Sequence, residues 1–171
     1  MTSYARQQQL RQRIQAMTWV IVIGTLITGI TTLPLLHEME AATRIFHADT
    51  AQGSTFAKWL VIVRDALHDV YGRFPFFGYA TDWLAFAHIV IAMLFWGAMR
   101  SPMRNSWLFS WGMIISVMIV PWALISGEVR QVPLGWRMID CSFGVVGFFP
   151  FWIASRWCRE LEKLRIAEQG P

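Results

Sequence analysis

Four long, mostly apolar runs dominate the pattern of hydrophobic and polar positions along this 171-residue chain, and Asp140 in the fourth is the one Asp, Glu, Lys or Arg residue among them. They cover residues 17–36, 83–99, 106–126 and 138–155. A helix needs about 20 mostly apolar residues to cross the hydrocarbon core of a bilayer. The second and fourth runs are slightly short, but flanking Trp and Arg side chains can extend them by lying at the membrane–water interface. The pattern therefore predicts an all-α integral membrane protein that forms a four-helix bundle.

The segment between the first two runs, residues 37–82, has a different pattern. Its first part is compatible with a continuation of the first helix, and "DTAQGST" interrupts it. Ser54 or Thr55 is then suited to cap a new helix from about residue 56 to 71. Apolar side chains share one face of that helix and charged side chains the other, which is typical of a helix lying on a surface. The apolar face consists of Phe56, Trp59, Leu60, Val63, Leu67 and Val70.

The distribution of basic residues predicts an orientation in the membrane. Only 15% of the residues are charged, against about 25% in soluble domains. The basic residues concentrate in three segments that fall on one side of a four-span protein, and the positive-inside rule makes that side cytoplasmic. We therefore expect a bacterial inner-membrane protein with cytoplasmic tails at 1–16 and 156–171, a membrane domain at 17–155, and segment 37–82 on the outer, periplasmic side. The three segments contain Arg6, Arg11 and Arg13; Arg100 and Arg104; and Arg156, Arg159, Lys163 and Arg165.

The partners expected from this topology are the lipid bilayer and other membrane subunits or further copies of the chain. Nucleic acid is not expected, because topology accounts for the net charge of +4. The first run is too long for a signal-peptide core, so we expect it to be an uncleaved anchor. Two pairs of small residues four positions apart, Gly24 with Thr28 and Gly112 with Ser116, predict close helix approaches.

Polar residues at the outer ends of the spans form the principal candidate site. His37 and Glu128 end the first and third runs, and His88 and Asp140 lie near the starts of the second and fourth, with Arg130 and Arg137 in the loop between the last two. Polar groups that converge at one depth are how sites in helix bundles are built.

Two interpretations of this outer polar cluster are open. In the first, His37 and His88 bind a metal ion or the iron of a haem. Glu128 or Asp140 is then either a further ligand or a carboxylate that hydrogen-bonds to a ligating histidine. In the second, the cluster is structural, because buried polar groups need partners whether or not they react. The structural interpretation predicts that Asp140 pairs with Arg137 or Arg130, and that His88 bonds to Glu128 or to a carbonyl.

A second candidate cluster lies on the amphipathic helix. Asp65, His68 and Asp69 are spaced i, i+3 and i+4, which places them on one face. This face is suited to a metal site or a proton relay, and it equally matches an ordinary solvated surface.

The first functional prediction from these features is an accessory membrane protein that binds partners or lipids. The alternative is a small membrane redox enzyme, dependent on a metal or haem, with its site at the outer helix ends. A transporter ranks last, because the midplane stretches "IVIAMLF", "MIISVMIV" and "VVGFF" are almost purely apolar.

Overall fold

The computed structural model describes residues 3–50 and 54–169, and within them the chain is helical, with no strand. A single 3₁₀ turn, Pro75–Phe77, joins the third helix to the fourth. In chain order the α-helices of the described residues are α1 (Ser3–Ile30), α2 (Leu35–Ile45), α3 (Thr55–Arg73), α4 (Gly78–Arg100), α5 (Trp107–Val129) and α6 (Leu134–Gln169).

Four of these helices, α1, α4, α5 and α6, are long and apolar enough to cross a membrane. The shortest of them has 23 residues, which at 1.5 Å per residue is about 35 Å and exceeds the thickness of the hydrocarbon core. The predicted all-α membrane architecture is thus confirmed, and each of the two short runs lies within a longer helix.

The first spanning helix differs from its predicted bounds at its distal end. It begins at Ser3, so that the Gln- and Arg-rich tail continues the helix, as the sequence predicts, and it ends at Ile30 instead of residue 36. Pro34 favours this end, because its ring disfavours a helix that continues from residue 30. Pro34 instead precedes α2. His37 consequently lies on α2 and not at the end of a spanning helix.

The two ends of the bundle differ in how closely the helices pack. We call the end where α1 begins and α6 finishes the terminal end, and the opposite end the distal end. The main hydrophobic core lies toward the terminal end and includes Leu10 and Ile14 of α1, Phe109 of α5 and Leu161 of α6, all fully buried. Phe95 of α4 reaches this core, since its ring lies 6.2 Å from that of Phe109. All four spanning helices therefore meet there.

Close approaches at glycine also join helix pairs, toward the distal end at Gly29 and toward the terminal end at Gly112. α1 packs against α4 and α6, and α5 packs against α6. A Cβ atom at Gly29 would collide with the His88 side chain, and one at Gly112 would collide with Phe151. The predicted approach at Gly112 and Ser116 is confirmed. The approach predicted at Gly24 and Thr28 is wrong, because nothing lies within 4 Å of a Cβ at Gly24.

The helices leave most of their apolar surface outside this core. In the most apolar window of each spanning helix, only 22–28% of the residues are buried. Many of the remaining apolar side chains in the described chain are exposed, and such side chains suit a hydrocarbon environment.

The segment outside the spans folds as a hairpin of α2 and α3 with a small core of its own. Ser54 caps α3 by accepting a hydrogen bond from the Ala57 amide at 3.4 Å, as the sequence predicts. Ala48, Ala57 and Leu60 are buried between the two helices. The ring of Phe56 stacks on Trp136 of α6, with centroids 4.7 Å apart, and this contact attaches the hairpin to the distal end.

Candidate functional site

The connection between α5 and α6 organises the outer polar cluster. Gln131 follows α5 with a positive φ of 55°, and the Val132 amide donates to the Gly127 carbonyl at 2.8 Å. The Gln131 amide donates to the Glu128 carbonyl at 3.0 Å. These bonds form the Schellman arrangement that closes many helix C-termini, and they turn the chain directly into α6.

Arg137 fastens this connection from the first turn of α6. Its Nη1 pairs with the Glu128 carboxylate at the end of α5, and its Nε donates to the Val132 carbonyl at 2.6 Å. The Arg137 side chain is 14% exposed and packs over Gly127, where an added Cβ would lie 2.8 Å from the arginine Cδ. The guanidinium therefore binds the Glu128 carboxylate and the Val132 carbonyl at the same time. The charges of Arg137 and Glu128 thus stabilise the connection between α5 and α6.

The other two members of the cluster near this turn take no part in that arrangement. Arg130 is the C-cap residue of α5 and is exposed, and Asp140 is exposed on the second turn of α6. Among the residues that the structure describes, neither Arg130 nor Asp140 forms an ion pair. The predicted partner of Arg137 was Asp140, whereas the observed partner is Glu128.

His88 is occupied within its own helix. Its Nδ1 lies 2.8 Å from the Leu84 carbonyl, and since a carbonyl only accepts, Nδ1 carries the proton and donates. The half-buried ring lies beside Gly29 of α1, where the missing side chain leaves room for it. This matches the carbonyl partner of the structural interpretation. His37, in contrast, is exposed on α2.

The carboxylates of the second cluster pair with arginines. Asp65 contacts Arg64 at 2.9 Å, and Asp69 contacts Arg73 at 2.7 Å. Arg64 also binds both carboxylate oxygens of Asp49 at 2.9 Å, and hydrogen bonding to Asp49 and then Asp65 raises the pKa of Arg64 further above its ordinary value. His68 is exposed on the same helix. The carboxylates of the second cluster thus take part in ion pairs at the protein surface.

For both the outer polar cluster and the second cluster, the sequence also allows a metal site. In residues 3–50 and 54–169, no group of three or more His, Cys, Asp or Glu side chains is placed so that it could hold a metal ion. His37 and His88 as metal or haem ligands stay a prediction from sequence. The contact of His88 with a carbonyl is one that the structural interpretation predicts, whereas the pairing of Glu128 with Arg137 is one that it does not.

The structure also reveals a surface that the sequence reasoning passed over. A groove of about 810 Å³ lies on α6 near the terminal end, lined by Trp152, Ile153, Arg156, Trp157, Arg159, Glu160 and Lys163. Its signal in the sequence is the spacing of Trp152, Arg156, Arg159 and Lys163 by four, three and four residues, which places one aromatic ring and three cations on one helix face. In the sequence, the positive-inside rule alone already accounts for these cations.

Comparisons with protein-family models, with curated proteins and with solved structures found no match. We therefore infer a role from the contacts within this chain.

Proposed function

We propose that this protein is a multi-pass accessory protein of a bacterial inner membrane, which binds lipid or a membrane partner through the apolar face of α3. The observation that carries the proposal is the incomplete cover of this face. Beyond Leu60, which is buried, Val63, Leu67 and Val70 are only half-buried. An amphipathic helix whose apolar face is only partly covered by its own protein is suited to a bilayer surface or a partner.

Aromatic side chains at both ends of α3 support a position of this helix at the membrane–water interface. At its start, Phe56 stacks on Trp136 of α6. At its end, Phe74, Phe76 and Phe77 form an exposed aromatic group, with the last two rings stacked 4.9 Å apart. Aromatic side chains concentrate at membrane–water interfaces, so this group supports a position of α3 along the membrane plane.

The use of the distal polar residues supports a binding role over a catalytic one. Arg137 and Glu128 join α5 to α6, and His88 bonds to the Leu84 carbonyl. A new ligand at Arg137 or Glu128 would have to replace an existing partner. The bond of His88 lies within its own helix and engages only Nδ1, so the argument rests on Arg137 and Glu128.

The orientation in this proposal follows from the charges at the two ends of the bundle. Nine of the fifteen Lys and Arg residues lie at the terminal end, together with three of the eleven Asp and Glu residues. The Arg6–Glu160 pair links α1 to α6 there, and the Gln15 amide reaches the Met99 carbonyl of α4. The positive-inside rule then makes the terminal end cytoplasmic and the α2–α3 hairpin periplasmic.

Site-specific labelling tests the proposal. In a Cys141→Ala/Cys158→Ala background, a single cysteine is introduced by Leu67→Cys on the apolar face or by His68→Cys, its neighbour on the polar face. Each is labelled with a fluorophore in proteoliposomes that contain spin-labelled lipid. We expect strong quenching at position 67 and weak quenching at position 68. In native membranes, a partner on this face would shield only position 67 from iodide. Equal access of iodide to both positions would contradict the proposal.

A further inference from the structure

The groove on α6 combines cations with aromatic rings at the terminal end of a spanning helix. The Arg156 guanidinium lies 4.9 Å from the centre of the Trp152 ring, and Arg13 of α1 lies 6.0 Å from that of Trp157 on the other flank. Stacking on a ring holds a guanidinium in place and leaves its N–H groups free to bind an anion. Of the cations that line the groove, Arg156 is thus held as a positioned donor.

The positive charge of the groove is not cancelled by its one acidic residue. Glu160 accepts hydrogen bonds from Arg6 of α1, at 2.6 Å from Nη2 and 3.0 Å from Nε, and this bidentate pair occupies the carboxylate. In the part of the chain that the structure describes, Arg156, Arg159 and Lys163 form no ion pair. Three cations therefore remain to bind an anion.

The same helix face becomes apolar toward the middle of the predicted span. Val145 and Phe149 precede Trp152 by seven and three residues and are 54% and 53% exposed. Along one stripe, α6 thus presents an apolar track, then an aromatic ring, and then the cations of the groove. This is the order of parts in a phospholipid, whose acyl chains lie in the hydrocarbon and whose phosphate lies at the interface.

We propose that the groove binds an anionic phospholipid, with the phosphate of the headgroup on Arg156, Arg159 and Lys163 and an acyl chain along Phe149 and Val145. A second copy of the chain suits the surface less well, because it would bring six cations together. An acidic soluble peptide would leave the apolar track uncovered. This inference deepens the proposed function, since it names a lipid for an accessory membrane protein, but it concerns the opposite end of the bundle from α3.

The test measures binding of phosphatidylglycerol, labelled with a fluorophore on its acyl chain, to the full chain in detergent. Anisotropy is recorded for the parent and for an Arg156→Gln/Arg159→Gln/Lys163→Gln variant. A cation close to an anionic lipid surface contributes roughly a factor of five in affinity. We therefore expect the triple variant to bind on the order of 100-fold more weakly and Arg159→Gln alone about five-fold more weakly.

The control removes the same charge from the same end of the bundle. Arg11→Gln/Arg100→Gln/Arg104→Gln takes away three exposed cations outside the groove and should leave the affinity close to that of the parent. Unlabelled phosphatidylglycerol should displace the probe, whereas phosphatidylcholine and inorganic phosphate should not. Gel filtration confirms that each variant is folded, and Arg159→Gln serves as the test if the triple variant is not.

Three results would overturn the inference. Equal losses in the groove and control variants would show that the lipid senses only the overall charge. Displacement by inorganic phosphate at the same concentration would show that the groove binds an anion without a lipid. A parent that binds phosphatidylcholine as well as phosphatidylglycerol would show no headgroup preference. None of these results affects the labelling of α3, so failure of this inference and failure of the proposed function are distinguishable.

Discussion

Arg137 on the first turn of α6 pairs with Glu128 on the last turn of α5, and it also donates to the Val132 carbonyl between them at 2.6 Å. One guanidinium thus spans the whole connection between the two helices that pack together most extensively. The ion pair belongs to the outer polar cluster, and its geometry shows why charges occur at this position: they close a tight turn between two spanning helices.

Removing this guanidinium should destabilise the protein measurably. Arg137→Ala leaves the Val132 carbonyl without its partner and removes the packing over Gly127, whereas the largely exposed Glu128 carboxylate stays solvated. We expect a loss of about 1–2 kcal/mol in the free energy of unfolding. Thermal unfolding in detergent measures it. Arg130→Ala, which removes an exposed arginine seven residues earlier, is the matched control and should change little. Equal effects of the two substitutions would show that only the local charge matters.

The contact of Gly29 with His88 provides a second test. A Cβ at Gly29 would collide with the His88 side chain and approach the Ala85 carbonyl at 3.3 Å, so Gly29→Ala should push α1 and α4 apart and cost about 1–3 kcal/mol. Gly24→Ala, on the same helix with nothing within 4 Å, should be neutral or slightly stabilising because alanine favours helix. The same unfolding assay compares them. A neutral Gly29→Ala variant would contradict the observed packing.

The attachment of the hairpin depends on the stacked pair Phe56 and Trp136. A double-mutant cycle with Phe56→Ala and Trp136→Ala should give a coupling of about 1 kcal/mol, as aromatic pairs do. Hydrogen exchange should rise in α2 and α3 in either variant, while α5 stays protected. Trp122→Ala, which removes a side chain that is 75% exposed, should leave exchange in the hairpin unchanged. Independent, additive effects at the two positions would show that the rings do not hold the hairpin.

Backbone strain at Gln131 gives a prediction of the opposite sign. Its φ of 55° lies in the left-handed region, where a side chain is disfavoured and glycine is not. Gln131→Gly should therefore raise the free energy of unfolding by up to about 1 kcal/mol. Gln131→Ala keeps the Cβ and should bring no such gain. A destabilised glycine variant would mean that the Gln131 side chain contributes a contact that outweighs the strain.

The four spanning helices and α3 were predictable because each leaves a long periodic or uncharged pattern. The end of α1 was partly within reach, since Pro34 disfavours a helix that passes residue 30. Proline alone does not fix a helix end, however, because α5 and α6 continue through Pro121 and Pro150. The face of α1 that meets α4 was not. In a membrane helix both faces are apolar, so the sequence offers Gly24 and Gly29 as equivalent small residues, and only the tertiary contact selects Gly29.

The partners within the polar cluster were only partly predictable. Asp140 is three residues from Arg137 along one helix and is the obvious local partner. The tight turn instead brings Glu128, nine residues away, onto the guanidinium, and such a turn depends on a left-handed Gln131 that carries little sequence signal. The groove on α6 was missed for another reason: its cations also satisfy the positive-inside rule, which gave them a sufficient explanation.

We propose, as the central claim, that the outer polar cluster has a structural role, with Glu128 paired to Arg137 and His88 bonded to the Leu84 carbonyl, and that it holds no metal or haem. Metal content and the optical spectrum of the detergent-purified protein test it most directly, beside a His37→Ala/His88→Ala variant. We predict no stoichiometric iron, copper or zinc and no haem absorption band in a folded parent, with the variant unchanged in both respects. Stoichiometric metal or haem in the parent that is lost in the variant would contradict the claim and make these two histidines the ligands of an active site.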